Sequence, residues 1–166
     1  MPPVFEPLQS NHDRQSFDCG REELNRFLQR QARQNAERDI GVTHVAVRNA
    51  GDARILAYYT LVTRTVDAAN IPNKKLPTGE IGVVLLRRLA VDGRAQGQKL
   101  ARLCLLRAMS QVERASREIG IHALVLDAID ERARDYYLSL KFGFQTLNDD
   151  PNHLYLPVAT IRGLTD

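Results

Sequence analysis

Residues 83–101 read VVLLRRLAVDGRAQGQKLA. The apolar run at the start of this stretch breaks at Asp92 into a polar turn, and a helical pattern begins at about Gln98. This succession predicts a strand, a loop and the start of a helix. In that arrangement the loop amides and the first N–H groups of the helix point into one concavity, where they can bind phosphate oxygens. Gly97 would let a ligand approach the backbone closely, because it has no side chain.

A strand, loop and helix start would also be found in an ordinary strand-to-helix turn, so this succession alone does not indicate a phosphate site. The particular residues in this stretch are more informative. The strings Leu89-Ala90-Val91-Asp92 and Gln96-Gly97-Gln98-Lys99-Leu100-Ala101 resemble the acetyl-CoA-binding motif of the GCN5-related N-acetyltransferases, the GNAT family. In that motif Arg or Gln is followed by two residues, Gly, one residue, and Gly or Ala. The resemblance implies the GNAT fold and a coenzyme bound by Leu89, Ala90, Val91, Gln96, Gly97, Gln98, Lys99, Leu100 and Ala101.

Lys99 departs from this motif, because family members usually carry glycine at its position. We expect Lys99 to lie in the first helical turn with φ below zero, where a lysine costs little. Its ammonium group would then add a point charge near the pyrophosphate. If the position instead requires a close approach of the backbone, coenzyme affinity would suffer.

The whole chain, residues 1–166, predicts one mixed α/β domain. Apolar runs and alternations predict strands at residues 4–8, 43–48, 54–66, 83–91, 122–129, 142–147 and 154–158. Helical periodicity predicts helices at residues 21–35, with Asp18 or Gly20 as N-cap, and at 98–119 and 130–140. A strand, crossover helix and strand make the two central strands parallel, and such a pair can splay at a bulge and leave a slot for a ligand. We therefore expect a mixed, mostly antiparallel sheet of seven strands with about four helices.

The composition favours an ordinary globular protein in a reducing compartment. The chain is 43% apolar and 26% charged, which is typical of soluble domains of this length. Its two cysteines and four histidines show no metal-ligand spacing, so we expect no metal site. The amino terminus has no signal-peptide pattern and no run is long enough to span a bilayer, so a cytoplasmic location is expected.

Basic residues are concentrated in one part of the chain. From Val84 to Arg117 there are eight basic and two acidic residues, an excess of six. Such an excess suits a polyanion, either the phosphates of a coenzyme or a nucleic acid. A solvated helix face that only keeps the protein soluble would give the same count.

Acyl transfer from a thioester needs a proton for the departing thiolate, and tyrosine is a suitable acid because phenols and thiols have similar pKa values. The segment from Asp127 to Tyr137 looks like the GNAT segment D-A-x-D-E-x-A-x-x-F-Y, whose final tyrosine is the general acid. The resemblance implies that Tyr137 is catalytic, with Tyr136 packed in the core. Family members usually place Gly-Phe four residues after that tyrosine, whereas Gly143 is six after Tyr137, so two residues are inserted. Counting backward from Gly143 would instead select Ser139, a poor acid.

A general base is not assigned. His44, Glu80 and Asp127 can each be placed near the ligand slot, but residues of these types are more often structural. An α-amine has a pKa of about 7.7–8.0 and arrives partly neutral, so water can take its proton.

Several further strings resemble the acetyltransferase toxins of bacterial type II toxin–antitoxin modules. They are Asn11-His12-Asp13, Phe17-Asp18-Cys19-Gly20, Leu24-Asn25-Arg26-Phe27-Leu28, and Asp149-Asp150-Pro151 continuing to Leu156-Pro157. The resemblance covers nearly the whole chain. It implies acetylation of the α-amino group of aminoacyl-tRNA, which blocks translation, together with a homodimer and a ribbon-helix-helix antitoxin. Candidates for binding the tRNA are Arg30, Arg33, Lys74, Lys75, Arg87 and Arg88.

Two other functions are open at this stage. An enzyme of the same fold could acetylate a small-molecule or protein amine, and would then act on polyamines, antibiotics or lysine peptides. A catalytically inactive module could use the fold to hold RNA or a partner protein, and replacing Tyr137 by phenylalanine would then change nothing measurable.

Overall fold

Seven strands form a mixed sheet in the computed structural model, which describes residues 2–73 and 75–165. They are β1 Val4–Pro7, β2 Val42–Val47, β3 Ala57–Asp67, β4 Glu80–Val91, β5 Ala123–Asp127, β6 Gln145–Thr146 and β7 His153–Pro157. Their order in the sheet is β1-β2-β3-β4-β5-β7-β6. β4 and β5 pair in parallel, while β1–β2, β2–β3, β5–β7 and β6–β7 pair antiparallel. The predicted mixed sheet with a central parallel pair is therefore confirmed, and the bulge between its central strands stays a prediction.

Four helical segments accompany these strands within the described residues. The first consists of α1 Glu22–Arg26, a π-helical turn Phe27–Gln31 and α2 Ala32–Glu37, and the others are α3 Leu100–Ser116, α4 Glu131–Ser139 and α5 Val158–Thr165. None of them is long and apolar enough to cross a bilayer. α5 was not among the elements predicted from the sequence. It follows Pro157 directly and buries Val158 and Ile161, which lie three residues apart on one helical face.

The predicted N-cap of the first helix is wrong. Arg21 occupies the N-cap position, and its side chain makes no capping hydrogen bond. The Asp18 carboxylate instead accepts hydrogen bonds from the Gly20 amide at 2.9 Å and from Asn25 Nδ2 at 3.0 Å. The Asp18 carboxylate, which the sequence suggested as a helix cap, therefore stabilises the turn before the helix.

The chain divides into two compact units, of which the first comprises residues 2–62 and 87–107. Its core contains an aromatic cluster in which the Tyr58 ring lies 5.4 Å from Phe17 and 6.3 Å from Phe27. The Tyr58 hydroxyl donates a 2.6 Å hydrogen bond to the Leu24 carbonyl, which satisfies its polar end inside the core. Burial raises the pKa of Tyr58, so this hydroxyl stays a donor at neutral pH.

The second unit comprises residues 63–86 and 108–165. Its centre is the parallel ladder of β4 and β5, in which Val84 pairs with Leu124 and Leu86 with Leu126. The residues from 83 to 86 and from 123 to 126 are all buried, as expected of strands covered on both faces.

Candidate functional site

The loop between β4 and α3 has left-handed backbone at two positions. Gly97 has a φ of 85° and Lys99 a φ of 59°, and the helix begins only at Leu100. The expectation that Lys99 lies in the first helical turn with negative φ is therefore wrong. The chain enters the helix through Lys99 in a conformation that glycine adopts without steric penalty and other residues adopt at a cost. The left-handed backbone at this position explains why the motif usually has glycine there.

The same loop exposes backbone donors. Gln96, Gly97, Gln98 and Lys99 are all exposed, and they lie directly before the first turn of α3. α3 follows directly and is 17 residues long. Its first N–H groups and the positive end of its dipole therefore lie next to this loop. Donors arranged in this way bind phosphate oxygens. The geometry therefore suits the anion-binding role that the sequence predicts.

A buried carboxylate anchors the start of this loop. Asp92 is 1% exposed and accepts hydrogen bonds from the amide of Arg94 at 2.9 Å, from Arg94 Nε at 3.1 Å and from the amide of Asp18 at 3.1 Å. The Gly93 amide donates back to the Asp18 carbonyl at 2.8 Å. Burial alone would raise the pKa of Asp92, but the hydrogen bonds from Arg94 and Asp18 prevail and lower it. Asp92 is therefore an ionised anchor at neutral pH.

Asn25 connects this anchor to the first helix. Its side-chain oxygen accepts from the Cys19 amide at 3.0 Å, and its nitrogen donates to Asp18 Oδ1 at 3.0 Å. Asn25 is 7% exposed, so both ends of a buried amide are satisfied. The Phe17–Gly20 and Leu24–Leu28 strings and the Leu89–Asp92 string are thus joined by one hydrogen-bond network, which sequence reasoning did not foresee.

Four of the predicted substrate-binding arginines lie in this first unit. Arg30 and Arg87 are exposed, and Arg33 lies 4.0 Å from Glu37 in a weak ion pair. The Arg88 guanidinium instead lies 3.7 Å above the centre of the Phe27 ring. Burial, followed by the charge of Arg87, lowers the pKa of Arg88. Arg88 is therefore held against the aromatic cluster.

Tyr137 lies in the second unit, near the end of α4. Asp130 caps this helix by accepting a 2.8 Å hydrogen bond from the Ala133 amide. The Tyr136 and Tyr137 rings meet edge to face with centres 5.5 Å apart. Tyr136 is 40% exposed, so the expectation that it packs in the core is wrong, whereas Tyr137 is half-buried. The Ser139 hydroxyl donates to the Tyr136 carbonyl at 2.6 Å, which ties the alternative candidate to the helix backbone.

The two-residue insertion predicted from the sequence would fall where α4 ends. The helix stops at Ser139, and Lys141 follows in a left-handed conformation with a φ of 61°, its amide donating to the Leu138 carbonyl at 3.3 Å. Phe142 is then buried, and Gly143 has a φ of 108°. An insertion after Tyr137 would therefore be absorbed by the turn that follows the helix, and the helical position of Tyr137 would not depend on it.

The candidate bases have different surroundings. The His44 ring stacks on Tyr59 with centres 5.2 Å apart, and burial, with a smaller contribution from Arg107, lowers the pKa of His44 to about 4. Glu80 is exposed at the start of β4. Asp127, at the end of β5, accepts a 3.0 Å hydrogen bond from Arg64. In residues 2–73 and 75–165, no group of three or more histidine, cysteine, aspartate or glutamate side chains is arranged to hold a metal ion.

A cavity of about 590 Å³ lies beside the loop between β3 and β4 in the second unit. Its lining is mostly apolar and includes Ile71, Pro72 and Leu76, with Asn148 on the other side. Asn148 fixes the loop by donating from Nδ2 to the Ala69 carbonyl at 3.1 Å. The volume falls in the range of small-molecule sites.

Of the two lysines predicted to bind substrate in that loop, Lys75 is exposed. Lys74 lies outside the described residues.

Comparison with known proteins gives relatives that match over nearly their full length, although no family model matches the chain. A tRNA-acetylating toxin of Mycobacterium tuberculosis is 31% identical over 152 residues, which cover 90% of this chain and 88% of the relative. The structure of AtaT complexed with acetyl-methionyl-tRNAfMet has a TM-score of 0.90 at 34% identity and covers 99% of both chains. A mutant AtaT toxin bound to the C-terminus of the antitoxin AtaR and acetyl-CoA has a TM-score of 0.84 at 31% identity, again covering 99% of both chains.

Proposed function

Because the chain belongs to the family of tRNA-acetylating toxins with the GNAT fold, we propose that it transfers the acetyl group of acetyl-CoA to the α-amino group of aminoacyl-tRNA and so inhibits translation. It is an acetyl-CoA-dependent N-acetyltransferase, and acetyl-CoA is its co-substrate. The structural observation that carries this proposal is the exposed loop Gln96–Lys99, with left-handed backbone at Gly97 and Lys99, directly before the start of α3.

We assign the coenzyme to the end of β4 and the following loop. The residues with this role are Leu89, Ala90, Val91, Gln96, Gly97, Gln98, Lys99, Leu100 and Ala101. The loop amides and the start of α3 would hold the pyrophosphate, because their donors and dipole are directed to one end of the helix. Strand backbone at Leu89–Val91 would hold the pantetheine and the thioester oxygen, which polarises the carbonyl for attack.

Tyr137 is assigned as the acid that protonates the departing thiolate. Its half-buried place on a capped helix restricts its side chain, and a phenol can donate to a thiolate because the two pKa values are close. The amine attacks the thioester carbon, a C–N bond forms and the C–S bond breaks. The sulfur takes the phenolic proton, and a proton released from the acylated nitrogen restores the phenol.

Exposed basic side chains are assigned to the tRNA phosphates. Arg30, Arg87 and Lys75 are available for this role, and Arg33 is available once its weak pair with Glu37 opens. Arg88 contributes mainly by covering the Phe27 ring, and Lys74 remains a candidate from the sequence alone.

The wider setting is also part of the proposal. The single acetyltransferase domain, the homodimer and the ribbon-helix-helix type of the antitoxin follow from the resemblance to toxin–antitoxin acetyltransferases. AtaT binds the C-terminus of its antitoxin, which supports an antitoxin partner here. A cytoplasmic location fits a substrate that is used by ribosomes.

The proposal is tested with radiolabelled acetyl-CoA and the purified chain. We expect label on charged tRNA and none on uncharged tRNA, and about a hundredfold slower transfer for Tyr137→Phe. Tyr136→Phe is the matched control and should be close to the unmodified chain, because that ring is exposed. Label on polyamines or lysine peptides but not on charged tRNA would favour the small-amine alternative, and label on none of them would overturn the enzymatic assignment.

A further inference from the structure

His153, the first residue of β7, has carboxylates near both of its ring nitrogens. Nδ1 lies 3.2 Å from Asp149 Oδ2, and Nε2 lies 3.8 Å from Asp127 Oδ1 and 3.8 Å from Asp150 Oδ2. The other oxygen of Asp127 accepts a 3.0 Å hydrogen bond from Arg64. These groups come from β3, the end of β5, and the β6–β7 turn, all in the same compact unit as Tyr137.

The hydrogen bond to Asp149 determines which atoms remain as acceptors. If Nδ1 carries the proton and donates it to Asp149, Nε2 of the neutral ring has a lone pair. The separations of 3.8 Å between Nε2 and the oxygens of Asp127 and Asp150 are too long for direct hydrogen bonds. In this tautomer, Nε2 and the nearer oxygens of Asp127 and Asp150 are three acceptors that lie close together. A primary ammonium group, with three N–H donors, matches this arrangement.

Charge and access favour the same ligand. Three carboxylates and one guanidinium give a net charge of −2 while the imidazole is neutral, in a chain whose formal net charge is +3. The side chains of Asp127 and Asp150 are 38% and 44% exposed, so a large substrate can reach them. The group also lies at the carboxyl end of β5, and ligands of sheets with parallel strands bind at such ends.

We propose that Asp127, Asp150 and His153 bind the α-ammonium group of the acceptor, and that His153 accepts the proton that frees the amine for attack. This inference rests on the proposed function. Acetylation of an ammonium group releases one proton overall, because the ammonium loses two and the leaving thiolate keeps one. The first passes from nitrogen to Nε2 of His153 and then to solvent, and the second restores the Tyr137 phenol after the thiolate has taken its proton.

The facing charges stabilise the imidazolium that forms. Asp127 faces it from β5, Asp149 and Asp150 from the β6–β7 turn, and Arg64 from β3 offsets part of the Asp127 charge. Asp149 also fixes the ring, because its amide donates to Asn70 Oδ1 at 2.7 Å. The Asp149-Asp150-Pro151 string of the sequence thereby acquires a role in the reaction.

Steady-state kinetics with charged tRNA test the binding site. Asp150→Asn should raise the KM for aminoacyl-tRNA about tenfold, because a charged hydrogen-bond partner of an exposed site is lost. Its other oxygen accepts from the Asn152 amide at 2.8 Å, a bond that asparagine retains, so the turn should persist. Glu118→Gln, an exposed carboxylate of the same unit, is the matched control and should leave KM unchanged.

His153→Gln should lower kcat about a hundredfold and flatten the acid limb of the pH profile, while acetyl-CoA affinity stays unchanged. Hydroxyacyl-tRNA, in which a hydroxyl replaces the α-amine, serves as a competitor. The ratio of its binding affinity to that of aminoacyl-tRNA reports on recognition of the amine and would not change with a general structural defect. The unmodified chain should bind aminoacyl-tRNA more tightly than this competitor, and Asp150→Asn should lose that preference.

The outcomes separate the two proposals. If the unmodified chain labels no charged tRNA, the proposed function fails. If it labels charged tRNA but Asp150→Asn keeps both its KM and its preference for the amine, or His153→Gln keeps its kcat and acid limb, the ammonium site is wrong and the proposed function stands.

Discussion

Replacing Lys99 by glycine should make the protein more stable. A non-glycine residue at a φ of 59° costs roughly 1–2 kcal/mol. Glycine removes that strain but loses about 0.5–1 kcal/mol more backbone entropy on folding. The difference leaves a gain of about 0.5–1 kcal/mol, which for a chain of this length corresponds to a rise in Tm of about 1–4 °C.

Lys99→Ala separates the backbone effect from the charge. Alanine removes the ammonium group but keeps the steric cost of the left-handed conformation, so its free energy of unfolding should stay close to that of the unmodified chain. Both variants should bind acetyl-CoA a few times more weakly if the lysine charge assists the pyrophosphate, and this loss should shrink at high salt.

The assays are urea unfolding for stability and calorimetric titration for acetyl-CoA affinity. The expected order of unfolding midpoints is Lys99→Gly above both Lys99→Ala and the unmodified chain. A glycine variant that is no more stable than the alanine variant would refute the argument that the loop is strained at this residue.

Three further outcomes are expected. The unmodified chain should lose stability as pH falls from 6.5 towards 4, because the folded state keeps His44 neutral while the unfolded state takes up a proton in that window. His44→Gln should not show this loss, and urea unfolding midpoints at several pH values measure the difference. Gly143→Ala should lower the free energy of unfolding by about 1–3 kcal/mol, because residue 143 has a φ of 108° and its added Cβ would lie 2.9 Å from the Thr160 methyl group. Thermal unfolding tests this, with Gly163→Ala as the control because a Cβ there has no neighbour within 4 Å. Arg30→Ala should weaken tRNA binding and reduce the slope of log affinity against log salt by about 1, and an unchanged slope would remove Arg30 from the tRNA surface.

The sheet was predictable because the apolar runs of the sequence correspond to strands that are buried in the structure. Val83–Leu86 and Ala123–Leu126 are continuous apolar runs, and a crossover helix between two such runs makes them parallel. α5 escaped prediction because Val158 reads as the end of a strand, and among the described side chains of this helix two, Val158 and Ile161, are buried on its inner face.

The site was predictable at the level of its segments and less so at the level of single residues. Local pattern places Lys99 at a helix start, but it cannot show that the chain enters the helix through a left-handed residue. The hydrogen bond of Asp92 with the Asp18 amide, and the approach of His153 to Asp127, depend on how distant strands and turns are packed. Residue type alone offered His44 as a candidate base, whereas burial and Arg107 set its properties.

The π-helical turn at Phe27–Gln31 lets the first helical segment tolerate one change in its length. Such a turn holds one residue more than an α-helical turn, so deleting Gln29 would restore a regular α-helix and leave the flanking residues on their present faces. Ala32, which is fully buried, would stay on the inner face, and Arg33 would keep its direction. A deletion outside this turn would instead rotate everything after it by about 100° about the helix axis, and would redirect the arginines available to a bound nucleic acid.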